Sequence, residues 1–248
     1  MKSNLGAIIL AAGKGSRMKA KKVNKVVMHL ADKPMILHTV ELLQDLNIGN
    51  IIVVVGFAKE SVMKLLDGGV VFADQKKRLG TAHAVSVALK KINKDIKDVI
   101  VLNGDDSAFY SKKIINDLIR KHIEKKSAFT FLTIEKENPH GLGRVVRNKS
   151  ESVVAVVEEK DATAKQREIK EVNPGCYVFS VEFLEKYLPK VKKSEITNEY
   201  YLTSLIGIGI ENKEKIETVS AGGLIWRGVN TKDELSEADK LLVSLRSD

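Results

Sequence analysis

Short apolar runs alternate with amphipathic stretches through the first half of the chain. Two of these runs, IIVVV over 51–55 and VIVL over 99–102, contain no polar residue. A strand that is apolar on both faces is typical of a parallel sheet covered by helices on each side. The alternation of strand and helix patterns predicts βαβ units with right-handed crossovers. The chain is therefore predicted to have an α/β fold with a mostly parallel, mixed central sheet.

The same patterns predict the individual elements. Strands are expected over 6–11, 51–55, 70–72 and 99–102, and helices over 35–46, 59–66, 81–92 and 111–124. Further strands are expected over 129–134, 144–147, 153–157 and 176–179, as a mixed extension of the sheet. A last helix over 231–245 is predicted to begin with a capping box of Thr231 and Glu234. Because there is no Gly/Ser/Pro-rich linker and no internal repeat, residues 1–248 are predicted to form one domain with two lobes.

The composition restricts the possible partners. The 248 residues are 44% hydrophobic, which is enough for a substantial core. Basic residues outnumber acidic residues by 41 to 32, and the net charge of +9 favours anionic partners such as phosphates or nucleic acid. The low aromatic content of 5% and the absence of a basic stripe with interleaved aromatics argue against nucleic acid.

The single cysteine, Cys176, excludes an intramolecular disulfide and fits a reducing compartment. No apolar stretch approaches the ~18 residues of a membrane span, and the N-terminal segment has no cleavage pattern. We therefore expect a cytoplasmic protein without a membrane partner.

A glycine-containing loop, LAAGKGSRMK over 10–19, follows the first predicted strand. Met18 stands where the dinucleotide fingerprint GxGxxG has its last glycine, and Gly15 stands where a P-loop has Ser or Thr. Glycine lets backbone N–H groups approach an anion, and cations such as Arg17 and Lys25 neutralise phosphate charge. The segment is therefore predicted to bind an anion, the alternative being a solvated basic surface loop.

Ligands of open parallel sheets bind beyond the carboxyl ends of the strands, so the candidate loops are 11–25, 73–81 and 103–110. Motifs with the order and spacing of a known family begin in these loops and continue along nearly the whole chain: LAAGKGSRM (10–18), the lysine of NKVVMH (24–29), QKKRLGTAHAV (75–85), GD (104–105), GLGRVVR (141–147), VVEEKDAT (156–163), EVNPGCYVF (171–179), NEYYLT (198–203) and GVNT (228–231). Together they resemble the sugar-phosphate nucleotidylyltransferases, in particular the bacterial N-acetylglucosamine-1-phosphate uridylyltransferase domain.

The resemblance implies a Rossmann-like nucleotide-diphospho-sugar transferase fold, with a nucleotide-binding lobe of about 1–110 and a sugar-binding lobe of about 111–248. It implies that UTP and N-acetylglucosamine 1-phosphate react to UDP-N-acetylglucosamine and pyrophosphate, with Mg²⁺ as cofactor. The attacking phosphate oxygen is already a nucleophile, so alignment and charge neutralisation at the α-phosphorus suffice for catalysis. This agrees with the lack of a recognisable catalytic triad or dyad in the sequence.

The resemblance also implies roles for individual residues. The nucleotide site would contain Leu10, Ala11, Ala12, Gly13, Lys14, Gly15, Arg17, Lys25, Gln75, Gly80, Thr81, Asn103 and Gly104. The catalytic residues would be Arg17, Lys25 and Asp105, of which the two cations hold the phosphates. The Mg²⁺ ligands would be Asp105 and Asn230, and the residues around the sugar would be Gly143, Glu158 and Asn173.

More specific expectations concern four individual residues. The amide of Gln75 is expected to offer both a donor and an acceptor to a uracil edge. An ordinary helix N-cap is an alternative explanation for Thr81. His83 is expected to be structural or to act through a neighbour, because no acid-base partner is implied. Asp106 is expected either to support the metal site or simply to lead into a helix.

The chain departs from the family pattern beside the proposed metal. It has GDDSAFY over 104–110, where the family usually has a short apolar segment with proline, and Asn103 where an aromatic residue is common. Pro174 stands where the family often has threonine. These departures leave two alternatives open, a different sugar 1-phosphate and dTTP in place of UTP.

The chain stops at Asp248, before the left-handed β-helix with which the bifunctional enzymes of this family continue. We therefore expect no acetyltransferase activity and a monomer or small homo-oligomer instead of a trimer of that type. A catalytically silent sugar-nucleotide sensor is the alternative from a different class of protein. The retained Arg17, Lys25, Asp105 and Asn230 argue against it.

Overall fold

Parallel strands from the first half of the chain form the centre of one large sheet. The computed structural model describes residues 4–15, 18, 22–66, 68–222, 224–226 and 228–247. The strands are β1 (Leu5–Ala11), β2 (His29–Leu30), β3 (Lys33–Pro34), β4 (Asn50–Val55), β5 (Val71–Asp74), β6 (Asp98–Asn103), β7 (Phe129–Glu135), β8 (Gly143–Arg147), β9 (Val153–Val157), β10 (Glu171–Asn173), β11 (Tyr177–Ser180) and β12 (Ile216–Ser220). The helices are α1 (Met35–Asp45), α2 (Lys59–Leu65), α3 (Thr81–Leu89), α4 (Lys112–Lys125), α5 (Ala164–Arg167), α6 (Val181–Tyr187), α7 (Ser204–Glu211) and α8 (Lys232–Ser247).

Within the described residues, ten strands form one mixed sheet. Nine of them follow the order β5-β4-β1-β6-β11-β7-β10-β8-β9, and the tenth, β12, pairs with β7 outside this order. The strands β5, β4, β1 and β6 run parallel to one another. Strand β11 is antiparallel to both β6 and β7, and β10, β8 and β9 continue antiparallel beyond β7. The predicted Rossmann-like α/β fold, with a parallel centre and a mixed extension, is confirmed.

The central strands bury both of their faces, because successive side chains point to opposite sides of the sheet. Ile9 and Val53 belong to the apolar cluster under α1, α2, α4 and α8. Ile8 and Val54 belong to the cluster on the other face, under α3, α6 and α7. Burial of each such side chain stabilises the fold by about 1.5–3 kcal/mol. No helix in the described part of the chain combines the length and the apolarity needed to cross a bilayer.

The observed elements differ from the predicted ones at a few places. Helix α3 ends at Leu89 and not at 92, because the chain tightens into a turn in which Lys91 N donates to Ala88 O (2.8 Å). Strand β5 continues to Asp74, because it stays paired with β4 to the end of that strand. The elements β2, β3, β10, β12, α5, α6 and α7 were not predicted. The ends of the other predicted elements agree within two residues.

The carboxyl ends of the parallel strands meet at one edge of the sheet. In the register between β1 and β6, Leu10 lies beside Asn103. Gly104 N donates to Leu10 O (3.0 Å) and holds the two strand ends together. The beginning of β11 reaches the same edge, since Tyr177 pairs with Val101 near the end of β6. Loops from both halves of the chain therefore converge there.

Candidate active site

Two cavities lie side by side at this edge of the sheet. The first, of about 420 Å³, is lined by the loop 10–15 and Gln75. The second, of about 290 Å³, is lined by Glu158 and Asn173. The residues that line both cavities are Leu10, Lys25, Thr81, Asn103 and Asp105. The described residues predicted for the nucleotide, except Gly104, and those predicted for the sugar thus lie in adjoining cavities that share a wall.

The loop after β1 is held in place by the buried side chain of Asn24. Its Nδ2 donates to Ala11 O (2.9 Å), Gly13 O (3.3 Å) and Phe57 O (2.8 Å). Its Oδ1 accepts from Val26 N (3.2 Å) and so caps the short 3-10 turn that follows. Asn24 therefore fixes the loop against this turn. Asn24 was not predicted as a site residue, and its only signal in the sequence was its position before a predicted phosphate-binding lysine.

Lys25 projects from this turn into the wall between the cavities. Its Nζ forms an ion pair with the carboxylate of Asp105 and donates to Val229 O (2.9 Å) and Asn230 Oδ1 (3.2 Å). The side-chain stem packs on Gly15, where an added Cβ would lie 3.1 Å from Lys25 Cβ. Three residues predicted from separate segments are thus in direct contact. Arg17, the other predicted phosphate-binding cation, lies outside the described residues.

The beginning of α8 positions Asn230. The backbone N–H groups of Asn230 and Thr231 both donate to Glu234 Oε2 (2.6 and 3.0 Å), and Glu234 N donates to Thr231 Oγ1 (3.1 Å). The predicted capping box is therefore confirmed. Asp105 approaches from the opposite side, two residues after the end of the central strand β6.

The oxygens of Asp105 and Asn230 fit a magnesium ion. A carboxylate and an amide oxygen are hard donors of the kind that Mg²⁺ prefers. Among the described residues, no group of three or more His, Cys, Asp or Glu side chains could hold a metal. A magnesium ion at this position would therefore take phosphate oxygens and water as its further ligands, as is usual in nucleotide sites.

Gln75 is 4% exposed and its amide nitrogen is already used. Its Nε2 donates to Gly80 O (3.0 Å) and contacts His83 Nδ1 (2.9 Å). Burial lowers the pKa of His83, so the ring is neutral at pH 7 and Nδ1 can accept this bond. The expected pair of donor and acceptor is therefore corrected, because only Oε1 remains for a base. His83 acts through Gln75, in agreement with its predicted supporting role.

The capping explanation for Thr81 is wrong. The residue at the N-cap of α3 is Gly80, and no side chain caps the helix. Thr81 Oγ1 instead accepts from Leu202 N (2.9 Å), while Ala82 N donates to Tyr200 O (3.0 Å). These bonds dock the NEYYLT motif of the second half against the beginning of α3, where it closes one side of both cavities.

A half-buried carboxylate lies in the smaller cavity. Glu158 Oε1 accepts from Thr203 Oγ1 (2.9 Å). Burial raises the pKa of Glu158, and the bond from Thr203 opposes this shift. Gly143 faces the carboxylate, since an added Cβ would lie 3.7 Å from Glu158 Oε2 and 3.0 Å from Val156 Cγ1. A side chain at 143 would restrict access to Glu158. Thr203 was not predicted as a site residue.

Asn173 anchors the turn between β10 and β11. Its Nδ2 donates to Tyr177 OH (2.6 Å), and its Oδ1 accepts from Gly175 N (3.0 Å). Gly175 has a φ of +89°, a conformation that L side chains rarely adopt. These contacts fix the Asn173 amide in the cavity wall and leave one of its amide hydrogens for a ligand.

The departures from the family pattern form a polar pair. Asn103 Nδ2 donates to Asp106 Oδ2 (2.9 Å), and Asp106 is 5% exposed. Burial, and then the charge of Asp105, raises the pKa of Asp106 well above its ordinary value. Asp106 Oδ1 and Trp226 Nε1 are buried without a partner among the described residues. Both predicted roles for Asp106 agree with the structure, since it contacts Asn103 beside the proposed metal ligand and directly precedes the 3-10 turn Ser107–Phe109. Trp226, which lines the smaller cavity, was missed.

Gly104 lines neither cavity. An added Cβ would lie 3.3 Å from Val26 Cγ1 and 3.4 Å from Ile9 Cγ2, so the backbone is closely packed at this point. That Gly104 contacts the nucleotide stays a prediction. Gly104 packs between the ends of β1 and β6 and has a structural role there.

A larger cavity, of about 750 Å³, lies at the opposite end of the sheet around Asp98 and His122. His122 is 2% exposed and contacts Thr130 Oγ1 (3.0 Å) and Asp98 Oδ1 (3.3 Å). None of the predicted site residues that the structure describes lines this cavity. The side chains predicted for the site converge on the two smaller cavities instead, so cavity volume alone does not identify the candidate site.

The sheet order and the paired cavities define a Rossmann-like α/β protein with a ligand site beyond the carboxyl ends of its parallel strands. The same fold occurs in a Bacillus anthracis crystal structure of a protein assigned as a glucose-1-phosphate thymidylyltransferase. The TM-score is 0.81 at 21% sequence identity, and the match covers 96% of this chain and 95% of that one.

The family is shown by sequence comparison. A family model described as nucleotidyl transferase matches residues 6–244. The chain is 42% identical over 238 residues to the bifunctional protein GlmU of Caldicellulosiruptor saccharolyticus, covering 95% of this chain and 51% of the relative. The GlmU protein of Carboxydothermus hydrogenoformans is 40% identical over 213 residues, covering 86% of this chain and 47% of the relative. The chain belongs to the nucleotidyl transferase family and is an enzyme of that type. It spans about half the length of the curated relatives it matches.

Proposed function

We propose that the chain is a sugar-1-phosphate nucleotidylyltransferase that converts UTP and N-acetylglucosamine 1-phosphate into UDP-N-acetylglucosamine and pyrophosphate. The observation that supports this best is the position of Lys25 and Asp105 at the shared wall of two cavities, with Asn230 in contact with Lys25 from the smaller cavity. A mobile ammonium and two oxygens that can bind a metal ion suit a junction at which the phosphates of two substrates meet. Residues 1–248 would act as one domain, with a nucleotide-binding lobe of about 1–110 and a sugar-binding lobe of about 111–248.

The reaction is an in-line displacement at the α-phosphorus of UTP. A phosphate oxygen of the sugar phosphate forms the new P–O bond as the bond to pyrophosphate breaks, so no side chain has to remove a proton. Lys25 and Arg17 neutralise the phosphate oxygens during this change. Mg²⁺, held by Asp105 and Asn230 together with the substrate phosphates, supplies further charge neutralisation when bound.

The larger of the two cavities would hold the nucleotide. The residues proposed to surround it are Leu10, Ala11, Ala12, Gly13, Lys14, Gly15, Gly80, Thr81 and Asn103. Gln75 Oε1 would accept a hydrogen bond from N3–H of uracil. Because thymine also carries N3–H, this contact suits dTTP as well, and a thymidylyltransferase is the second candidate function.

The smaller cavity would hold the sugar. Glu158 Oε2 would accept from a sugar hydroxyl, and the remaining amide hydrogen of Asn173 would donate to a sugar oxygen such as that of an acetamido group. Gly143 leaves the space that the sugar needs beside the carboxylate. Thr203 keeps that carboxylate oriented through its bond to Oε1.

The direct test is a pyrophosphate-release assay in which UTP, dTTP, CTP, ATP and GTP are each combined with several sugar 1-phosphates, with and without Mg²⁺. We expect the highest kcat/KM for UTP with N-acetylglucosamine 1-phosphate, and no turnover when Mg²⁺ is omitted. Preference for dTTP or for another sugar 1-phosphate would select the alternative transferase. No turnover with any pair would favour a sugar-nucleotide sensor.

Asp105→Asn tests the proposed metal ligand within the same assay. Loss of the carboxylate should abolish turnover while the circular dichroism spectrum stays unchanged. Asp95→Asn is the matched control, because Asp95 is exposed and remote from both cavities. Near-normal turnover of Asp105→Asn would remove Asp105 from the metal site.

A further inference from the structure

We infer that the ammonium of Lys25 fills the divalent-cation position in the free protein, and that the nucleoside triphosphate, not the metal alone, opens this position. The inference rests on the proposed function for the identity of the metal site. It adds an order of events, because a metal could then enter the site only with or after the nucleotide.

The contacts of Lys25 Nζ carry this inference. An ammonium group has three hydrogens to donate, and here the carboxylate of Asp105, Val229 O and Asn230 Oδ1 are its three acceptors. Two of these oxygens are the proposed protein ligands of the metal. The Lys25 and Asp105 side chains are only 13% and 14% exposed, so water screens the pair weakly.

Charge balance opposes binding of a metal ion while Lys25 stays in place. The ammonium neutralises the carboxylate of Asp105, so an arriving divalent cation would meet a like charge at contact distance. It would also compete for the same two oxygens. Among the described residues, no group of three or more His, Cys, Asp or Glu side chains offers the ion another site.

A triphosphate removes both obstacles. Its oxygens supply the further ligands that Mg²⁺ requires, and they offer the ammonium a new anionic partner. Lys25 lines both cavities, so its Nζ can reach the nucleotide side by rotation of the outer part of the side chain. The stem can remain fixed during this movement, because Gly15 packs against Lys25 Cβ and the capped turn after Asn24 holds the backbone.

The test measures Mn²⁺ binding to the full chain by electron paramagnetic resonance of the free ion, without sugar phosphate and therefore without turnover. The wild-type protein should bind Mn²⁺ weakly alone and roughly tenfold or more tightly with UTP, after subtraction of the Mn²⁺ that the same concentration of UTP binds without protein. Lys25→Met should bind Mn²⁺ roughly tenfold or more tightly than wild type in the absence of UTP. Adding Asp105→Asn to this variant should abolish the gain and thereby locate the ion.

Two further variants keep the result interpretable. Lys91→Met, which removes an exposed lysine remote from the site, should bind Mn²⁺ like wild type. Lys25→Gln keeps a hydrogen-bond donor and replaces Lys25→Met if circular dichroism shows that the latter is unfolded. Equal Mn²⁺ affinity of the wild type and a folded Lys25 variant without UTP would overturn the inference. So would unchanged Mn²⁺ affinity of the wild type when UTP binding is demonstrated by calorimetry.

The outcomes separate this inference from the proposed function. If the turnover panel shows no activity, or if UTP does not bind, the proposed function fails. The comparison of wild type with the Lys25 variants in the absence of nucleotide still decides whether the ammonium blocks a cation position.

Discussion

Gly80→Ala is a substitution for which the structure predicts a large local penalty. Gly80 has a φ of 104° and a ψ of 178°, a backbone region that is essentially restricted to glycine. An added Cβ would lie 2.5 Å from Tyr200 O and 2.7 Å from Tyr200 N. Neither atom can move freely, because Ala82 N donates to that carbonyl (3.0 Å) and Tyr200 N donates to Leu79 O (2.8 Å).

The magnitude follows from two contributions. The backbone conformation costs about 1–3 kcal/mol for a residue with a Cβ. The steric overlap adds about 1–3 kcal/mol, as for other overpacked positions. The free energy of unfolding should therefore fall by about 2–6 kcal/mol, and each kcal/mol corresponds to roughly 2–4 °C in Tm for a chain of this size.

Gly68→Ala is the matched control for this experiment. Gly68 also has a positive φ, of 88°, but nothing lies within 4 Å of its added Cβ. It should lose only the conformational part, so the difference between the two variants isolates the steric part. Urea unfolding at 25 °C measures both. Steady-state kinetics of Gly80→Ala should also show a raised KM for the sugar phosphate, because the displaced segment carries Thr203 to Glu158.

The two-part explanation is refuted if Gly80→Ala is destabilised no more than Gly68→Ala. That result would mean that the backbone around Tyr200 moves away from the added Cβ without lowering the free energy of unfolding. An unchanged KM in a destabilised Gly80→Ala protein would show that docking of the NEYYLT motif does not position Glu158.

Three further predictions concern charged groups. Glu158→Gln should reduce kcat/KM for the sugar phosphate yet raise the free energy of unfolding at about pH 8 more than at about pH 5. Because its pKa is raised, Glu158 holds its proton more tightly in the folded than in the unfolded protein, so the free energy of unfolding of the wild type falls as pH rises through this range. Urea unfolding of both proteins at both pH values measures the difference. Arg147→Lys should lower the free energy of unfolding by about 0.5–1 kcal/mol, since it loses the two bonds of 2.7 and 2.6 Å to Glu171, and a double-mutant cycle with Glu171→Gln measures the coupling. Burial raises the pKa of Glu171 but the bonds from Arg147 lower it, with a net downward shift, so the coupling should vanish as pH falls through that pKa. Asp106→Leu should raise KM for both substrates roughly threefold to tenfold in steady-state kinetics, because Asn103 loses the acceptor that orients it between the cavities.

The centre of the fold was predictable because its signal is local. Runs such as 51–55 and 99–102 specify strands buried on both faces without reference to any partner. Elements of the second half lack such signals. Helix α7 has the sequence SLIGIGIE, whose two glycines and three isoleucines are poor helix formers, and it is stabilised by burial of Leu205 and Ile206. Strand β12 is only partly buried and depends on pairing with β7.

The candidate site was predictable as a set of residues but not as a set of contacts. The residues came from the family resemblance, whereas the contacts depend on distances along the chain that no local pattern specifies. Thr81 meets Leu202 across 121 positions, and Lys25 meets Asn230 across 205. The bonds that occupy the Gln75 amide nitrogen, to Gly80 and His83, likewise depend on how α3 packs. Sequence patterns therefore predict a set of residues, and the fold decides which of their atoms are left without an intramolecular partner.

The polar pair beside the metal position shows why single departures from a family pattern are hard to interpret. A carboxylate at 106 is costly to bury alone, and its raised pKa reflects that cost. The amide of Asn103 offsets part of it, so the two departures support each other. The pair further requires Gly175, because an added Cβ there would lie 2.4 Å from Asn103 Nδ2. Substitution of any one of the three therefore disturbs the other two, and the effect on substrate preference must be measured on the group and not position by position.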